Sequence, residues 1–245
     1  MDDIALRFDQ VGKSYAGVAA LADFSLEVRQ GECFGLVGEN GAGKTTLVKC
    51  MLDFCAADAG SIEIFGVPHT LTAARAQLAF LPERFNPPFY LTGRDFLQYM
   101  LELHRAPYDA TEVARVFAAL ELELSALTRL ARTYSKGMTQ KLGLAACLLS
   151  GKALYVFDEP TSGLDPKARA LLKRELRELR KARRTLFFTS HALADIGEMC
   201  DRMAILHRGQ LQFAGTPEEL VRKFAAADLE QAFLACIADH AAATA

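Results

Sequence analysis

The sequence has no window of about 18 uninterrupted apolar residues, the length a membrane-spanning helix needs. Its longest candidate, LGLAACLL, is cut by Ser150, Gly151 and Lys152. If the protein works at a membrane, another chain must do the crossing. It also lacks an excess of positive charge: 28 Lys plus Arg face 30 Asp plus Glu, for a formal net charge of −2. That balance argues against a surface built to grip a nucleic-acid backbone, so no nucleic-acid partner is expected. The six cysteines (33, 50, 55, 147, 200 and 236) form no CxxC pair and no zinc-like spacing with the five histidines. Most of them sit in apolar surroundings and are expected to be core thiols of a reducing compartment. The N-terminal MDDIALRF has neither the basic start nor the apolar stretch of a secretion signal, and there is no internal repeat or low-complexity linker.

What remains is a 245-residue chain with 51 % hydrophobic residues, enough for one large or two small domains around a sizeable core. Its basic character is local, in KRELRELRKARR at 173–184. On a helix that run alternates sign at spacings of three and four, which predicts a solvated face laced with ion pairs.

Hydrophobic periodicity predicts strands in IALRFDQV, FSLEV, ECFGLV, GSIEIFG (60–66) and QLAFLPE (77–83). From Leu91 to Gly151 the period becomes helical, with capping-type starts at Thr92-x-x-Asp95 and Asp109-x-x-Glu112. An α/β core with a helical insert, at about 88–150, is therefore predicted. ALYVFDEP is an apolar run of the kind a central parallel strand has when both faces are covered. Asp165-Pro166 caps a helix, TLFFTSH (185–191) is another buried strand, and RMAILHRGQLQFAG closes as a hairpin about Arg208-Gly209. Residues 217–245 read as alanine-rich helix.

GENGAGKT, at 38–45, follows an apolar strand and precedes the helical TTLVKCML, the context a phosphate-binding P-loop requires. Gly38, Asn40, Gly41, Gly43, Lys44, Thr45 and Thr46 form the predicted cradle. The glycines let backbone N–H groups curl around phosphate oxygens, and Lys44 places a point charge on the β- and γ-phosphates. Thr45 can put its hydroxyl on Mg²⁺. YVFDEP, at 155–160, ends an apolar strand in two carboxylates, an expensive arrangement unless something cationic or reactive waits there. Asp158 would hold Mg²⁺, directly or through water, and Glu159 would act as general base on the attacking water. A second helix start, YSKGMTQKL at 134–142, also has an anion-binding composition.

P-loop, helical insert, SKGMTQ, FDEP, SGLD and a terminal histidine, in this order, resemble the ATP-binding subunit of an ABC transporter, over about residues 1–220. The resemblance implies a P-loop NTPase core of RecA-like parallel sheet with an N-terminal antiparallel β subdomain, and leaves a helical tail at 221–245. In that family YSKGM takes the place of LSGGQ, the signature; here Lys136 replaces a glycine and Met138 a glutamine, while Ser135 and Gly137 are kept. Such variants resemble the exporter-type branch, whose ATPase is a separate polypeptide serving an integral membrane permease. The family's signature caps the γ-phosphate held by another subunit's P-loop, so the resemblance implies a homodimer or a pair of related subunits around ATP and Mg²⁺. It further implies that Tyr15 stacks on adenine, that His191 contacts the γ-phosphate as a catalytic residue beside Lys44 and Glu159, and that Asp165 crosses between subunits. Glu83 stands where the family usually has glutamine as a ligand to Mg²⁺ and the lytic water. The added charge would either strengthen the metal contact or slow the chemistry by repelling Glu159.

The implied activity is ATP hydrolysis coupled to transport, by a protein peripheral on the cytoplasmic face of the membrane. Two other readings compete: an ABC ATPase acting on ribosomes or nucleic acid, which would resemble a tandem duplication or carry a long coiled-coil insert, and a kinase or GTPase. The chain has no duplication and no NKxD segment.

Overall fold

The computed structural model describes residues 3–243 apart from Gly163, with residues 240–243 described by backbone alone. In chain order the elements are β1 (Ile4–Tyr15), β2 (Val18–Arg29), β3 (Cys33–Val37), α1 (Lys44–Met51), β4 (Ala59–Ile64), β5 (Val67–Pro68) and β6 (Leu78–Leu81). Then follow α2 (Gly93–Leu103), α3 (Ala110–Ala119), α4 (Lys136–Leu149), β7 (Leu154–Asp158), α5 (Pro166–Lys181), β8 (Thr185–Ser190) and α6 (Leu193–Met199). The chain closes with β9 (Arg202–His207), β10 (Gln210–Gly215), α7 (Pro217–Lys223) and α8 (Leu229–Ala243).

Two sheets result. A four-stranded antiparallel sheet runs β2-β1-β4-β5, and a six-stranded sheet runs β10-β9-β3-β8-β7-β6, in which only the β10–β9 pairing is antiparallel. This is the mixed α/β, P-loop NTPase architecture that the sequence predicts. Every residue of β3, β7 and β8 is buried, as expected of strands covered on both faces. One core fills the space between the antiparallel sheet, α1 and the larger sheet, with Phe8, Phe34 and Phe187 packed ring on ring. A second core covers the opposite face and is continuous with the apolar sides of α2, α3 and α4. The helices between β6 and β7 are therefore not separate from the core. A Cβ on Gly143 of α4 would lie 2.7 Å from Leu81 and 2.8 Å from Phe85, so a glycine is what lets α4 close on β6.

Both predicted capping starts form: Thr92 and Asp95 make a reciprocal box, and Asp109 accepts from the N–H groups of Thr111 and Glu112. The N-terminal hairpin extends further than alternation suggested. Its strands are 12 residues each, with register shifts that break the period, and they meet at Ala16-Gly17, both with positive φ. The basic run is laced with ion pairs, most of them to neighbouring elements. Lys181–Glu178 pairs within α5, but Lys173 pairs with Asp195 at 2.8 Å and with Glu198, Arg177 with Glu198, and Arg180 with Asp201. The apolar stripe containing Leu172 and Leu176 seats α5 in the core. Its flanking cations then reach the acidic side chains of α6 and the turn after it.

All six cysteines are free; Cys33, Cys50, Cys147 and Cys236 are buried, Cys55 and Cys200 half-buried. Burial pushes the Cys147 thiol up to about 12. No helix among the described residues is long and apolar enough to cross a membrane.

Candidate functional site

Four parallel strands end along one edge of the larger sheet. Leu81 lies beside Phe157, Asp158 beside Thr189, and Val37 beside Ser190, so the loops that follow β6, β7, β8 and β3 open together. They surround a cleft of about 340 Å³, lined by residues 39–46 with Glu83, Glu159, Ser162 and His191.

The glycines of the first loop do different jobs. A Cβ on Gly38 would come 2.4 Å from the Leu206 carbonyl oxygen of β9, and one on Gly43, at φ 111°, would come 2.4 Å from the Ala20 carbonyl oxygen of β2. These two close the loop onto neighbouring strands. Gly41, at φ 84°, has nothing within 4 Å of a notional Cβ and leaves its backbone open to the cleft.

Lys44 begins α1 and is buried. Its Nζ donates to the Gly38 carbonyl at 2.5 Å and lies 3.3 Å from Glu159 Oε1. Glu159 is buried too, and its other oxygen accepts from His191 Nδ1 at 2.8 Å and from the His191 backbone N–H at 3.3 Å. A carboxylate only accepts, so Nδ1 carries the proton in this contact and Nε2 is left to the cleft. Glu159 also has φ 49°, a left-handed conformation that strains a residue with a Cβ by about 1–2 kcal/mol.

Beneath this pair, Asp158 Oδ1 accepts from the Thr189 hydroxyl at 2.6 Å, and that same oxygen of Thr189 accepts from the Glu159 N–H at 3.0 Å. Thr45 Oγ1 lies 3.4 Å from the other Asp158 oxygen. Burial raises the Asp158 pKa above its usual value, the negative charges of Glu159 and Glu83 add to the rise, and the Thr189 hydrogen bond opposes it. Hydroxyl and carboxylate oxygens crowded this way suit a hard divalent cation such as Mg²⁺, which would relieve the repulsion. Thr189 has no predicted role. Its only signal was the strand register, which sequence spacing does not fix.

The remaining predicted residues lie elsewhere. Tyr15 stands 47 % exposed at the end of β1; its hydroxyl is 3.5 Å from Cys55 Sγ. That hydrogen bond raises its pKa, while a hydrogen bond with Thr46, a lining residue of the cleft, pulls the other way; Tyr15 itself does not line the cleft. Asp165 caps α5 through the Ala168 N–H at 2.8 Å and does not line the cleft; Gly163, in the same SGLD segment, falls outside the described residues. Ser135 caps α4 by accepting from the Met138 N–H at 3.2 Å. Neither Ser135 nor Gly137 lines the phosphate cleft. Their neighbours Tyr134 and Lys136 line a second cavity of about 570 Å³, which shares Glu83 and Ser162 with the first.

Fold and cleft together define a P-loop nucleotide-binding protein. Residues 21–162 match the ABC transporter domain family, and the chain belongs to that family, among its ATP-binding proteins. An uncharacterized ABC transporter ATP-binding protein of Synechocystis is 38 % identical over 210 residues, which cover 83 % of this chain and 58 % of the relative. A Nod factor export ATP-binding protein I of Paraburkholderia xenovorans is 32 % identical over 243 residues, covering 95 % of this chain and 78 % of the relative. The chain thus spans about 60 % of the cyanobacterial relatives it matches (58 % of the Synechocystis protein, 62 % of one from Nostoc). A solved ATP-binding subunit of an ABC transporter superposes with TM-score 0.87 at 28 % identity, covering 95 % of this chain and 99 % of that one. A dimeric ATP-binding cassette solved with ADP and phosphate superposes at 0.78, with 20 % identity and 86 % and 98 % coverage, a likeness of fold.

Proposed function

We propose that the chain is the ATP-hydrolysing subunit of an ABC transporter, and that two subunits close head to tail around two MgATP molecules. The supporting observation is the separation of two anion-ready elements: the P-loop with Lys44, and the Ser135 helix start, which does not line the same cleft. A pair related by two-fold symmetry would bring each P-loop to the other molecule's Ser135 and Gly137. Closure follows because ATP binds the closed pair better than the open one.

In this reading Tyr15 stacks on adenine, and the open backbone of residues 38–46 and Lys44 hold the phosphates. Thr45, Asp158 and Glu83 hold Mg²⁺, which when bound neutralises charge on the β- and γ-phosphates. Lys44 must leave Glu159 to reach the nucleotide, and that release frees the Glu159 carboxylate to accept a proton from the attacking water. His191 keeps Glu159 oriented; its Nε2 can donate to the γ-phosphate only as imidazolium or after letting go of Glu159. Asp165 reaches across the pair. The ATP-binding unit spans residues 1–220, with residues 221–245 as an appended tail.

The membrane permease is a separate polypeptide, and the protein sits peripherally on the cytoplasmic face beside it. Phe89 and Tyr90, stacked edge to face at 5.4 Å and about two-thirds exposed (66 % and 65 %), follow the Glu83 loop and suit an apolar partner surface there. Similarity to Nod factor export proteins supports an exporting direction. The test is Glu159→Gln, which should trap an ATP-bound dimer on a sizing column and lower turnover by at least about 10²-fold. A variant that stays monomeric in saturating MgATP would count against the proposal.

A further inference from the structure

Two thiols lie in a row beside Tyr15, Cys55 against its hydroxyl and Cys50 against Cys55. Cys50 is in the last turn of α1, the helix that begins at Lys44, and the chain then turns back through Asp53 at φ 61°. The N–H groups of Phe54 and Cys55 both return to the Lys49 carbonyl, at 2.9 and 3.4 Å. This fold-back sets Cys55 Sγ 3.6 Å from Cys50 Sγ, with the Tyr15 hydroxyl 3.5 Å away on the other side. Cys50 is fully buried, whereas Cys55 is half-buried and open to small reagents. Nothing in the proposed ATPase chemistry uses either sulfur.

We propose that Cys50 and Cys55 are a reversible oxidation site for hydroperoxides, whose disulfide loosens Tyr15 and weakens adenine binding; the second part rests on the proposed stacking role of Tyr15. The half-buried Cys55 thiolate attacks a peroxide oxygen: an S–O bond forms, the O–O bond breaks, and the departing hydroxide takes up a proton as water. Cys50 Sγ then attacks the Cys55 sulfur, forming S–S and breaking S–O, and the second hydroxide leaves as water with the Cys50 proton. Two thiols are oxidised and one peroxide becomes two waters. Burial and the neighbouring thiol push Cys50 up to about 12, so Cys50 is the resolving and not the attacking thiol. A disulfide needs about 2.05 Å between sulfurs, so the pair must close by about 1.6 Å from its present 3.6 Å. Cys55 thereby moves from the Tyr15 hydroxyl and loses the thiol proton it shares with it.

The test exposes the full-length protein to stoichiometric hydrogen peroxide, maps disulfides by peptide mass spectrometry, and measures affinity for ATP and for inorganic triphosphate. A second close thiol pair in the core, Cys33 and Cys200, is told apart by its peptides. Expected are a Cys50–Cys55 peptide, about fivefold or greater weakening of ATP binding, unchanged triphosphate binding, and reversal by dithiothreitol. Cys55→Ser should keep its ATP affinity under peroxide. Absence of the Cys50–Cys55 peptide overturns the oxidation site. If it forms and Tyr15→Ala lowers ATP affinity, but oxidation of the wild type does not, the switch is overturned while the stacking role stands. If Tyr15→Ala is also without effect, the stacking role itself has failed and the switch with it.

Discussion

The two anion-ready elements of this chain are built in opposite ways. In the phosphate cleft Lys44 is held by Gly38 and Glu159, Glu159 by His191, and Asp158 by Thr189. At the start of α4, Ser135 makes one capping hydrogen bond, Lys136 is exposed, and the first turn has no acidic residue. A cation there opposes the helix dipole. The cleft is thus largely preorganised by its own charges, while the Ser135 helix start offers backbone donors beyond the one that Ser135 caps. In the proposed pair the second element would meet a neighbour's nucleotide.

The largest effect expected from breaking this contrast is at Lys44. Lys44→Ala should weaken ATP binding by at least about 10²-fold in equilibrium titration, since it removes the cation that meets the phosphates and leaves buried Glu159 without its cation. ATP affinity unchanged within twofold would contradict the assigned cradle. Next is Thr189→Val, which keeps shape and removes the hydroxyl that opposes the rise in the Asp158 pKa. Asp158 then takes its proton at still higher pH. A folded-state pKa raised above the unfolded value means stability is lost as pH rises through that window. The thermal deficit of the variant should therefore grow as pH rises above the ordinary carboxylate range, by about 1–3 kcal/mol, with Mg²⁺ binding weakened there. A deficit that does not vary with pH would show that Thr189 acts through the Glu159 N–H it accepts from, or through packing, and not through the Asp158 charge. The smallest effect is at Ser135. Ser135→Ala should lower stability by about 1 kcal/mol through loss of the cap and leave the nucleotide affinity of dilute monomer unchanged, because that binding is the cleft's alone.

Most of this was legible in the sequence where spacing is local. The GENGAGKT loop, the carboxylates ending YVFDEP and the caps at Thr92, Asp109, Ser135 and Asp165 follow from residues within a turn of one another. What escaped depends on distant chain. Thr189 reaches Asp158 through strand register, Gly38 and Gly43 are fixed by β9 and β2, and the cations of α5 turn to acids on α6. Glu159's left-handed backbone has no local signature in the sequence.

The contrast between the two elements is tested most directly by complementation. A Lys44→Ala protein and a Gly137→Asp protein should each be inactive alone, one without a working cleft and the other without a working signature. Mixed in equal amounts, they should regain about a quarter of wild-type ATP turnover, because half of the pairs are mixed and each mixed pair has one intact composite site. A mixture as inactive as its components, or full turnover by Gly137→Asp at high dilution, would contradict the account.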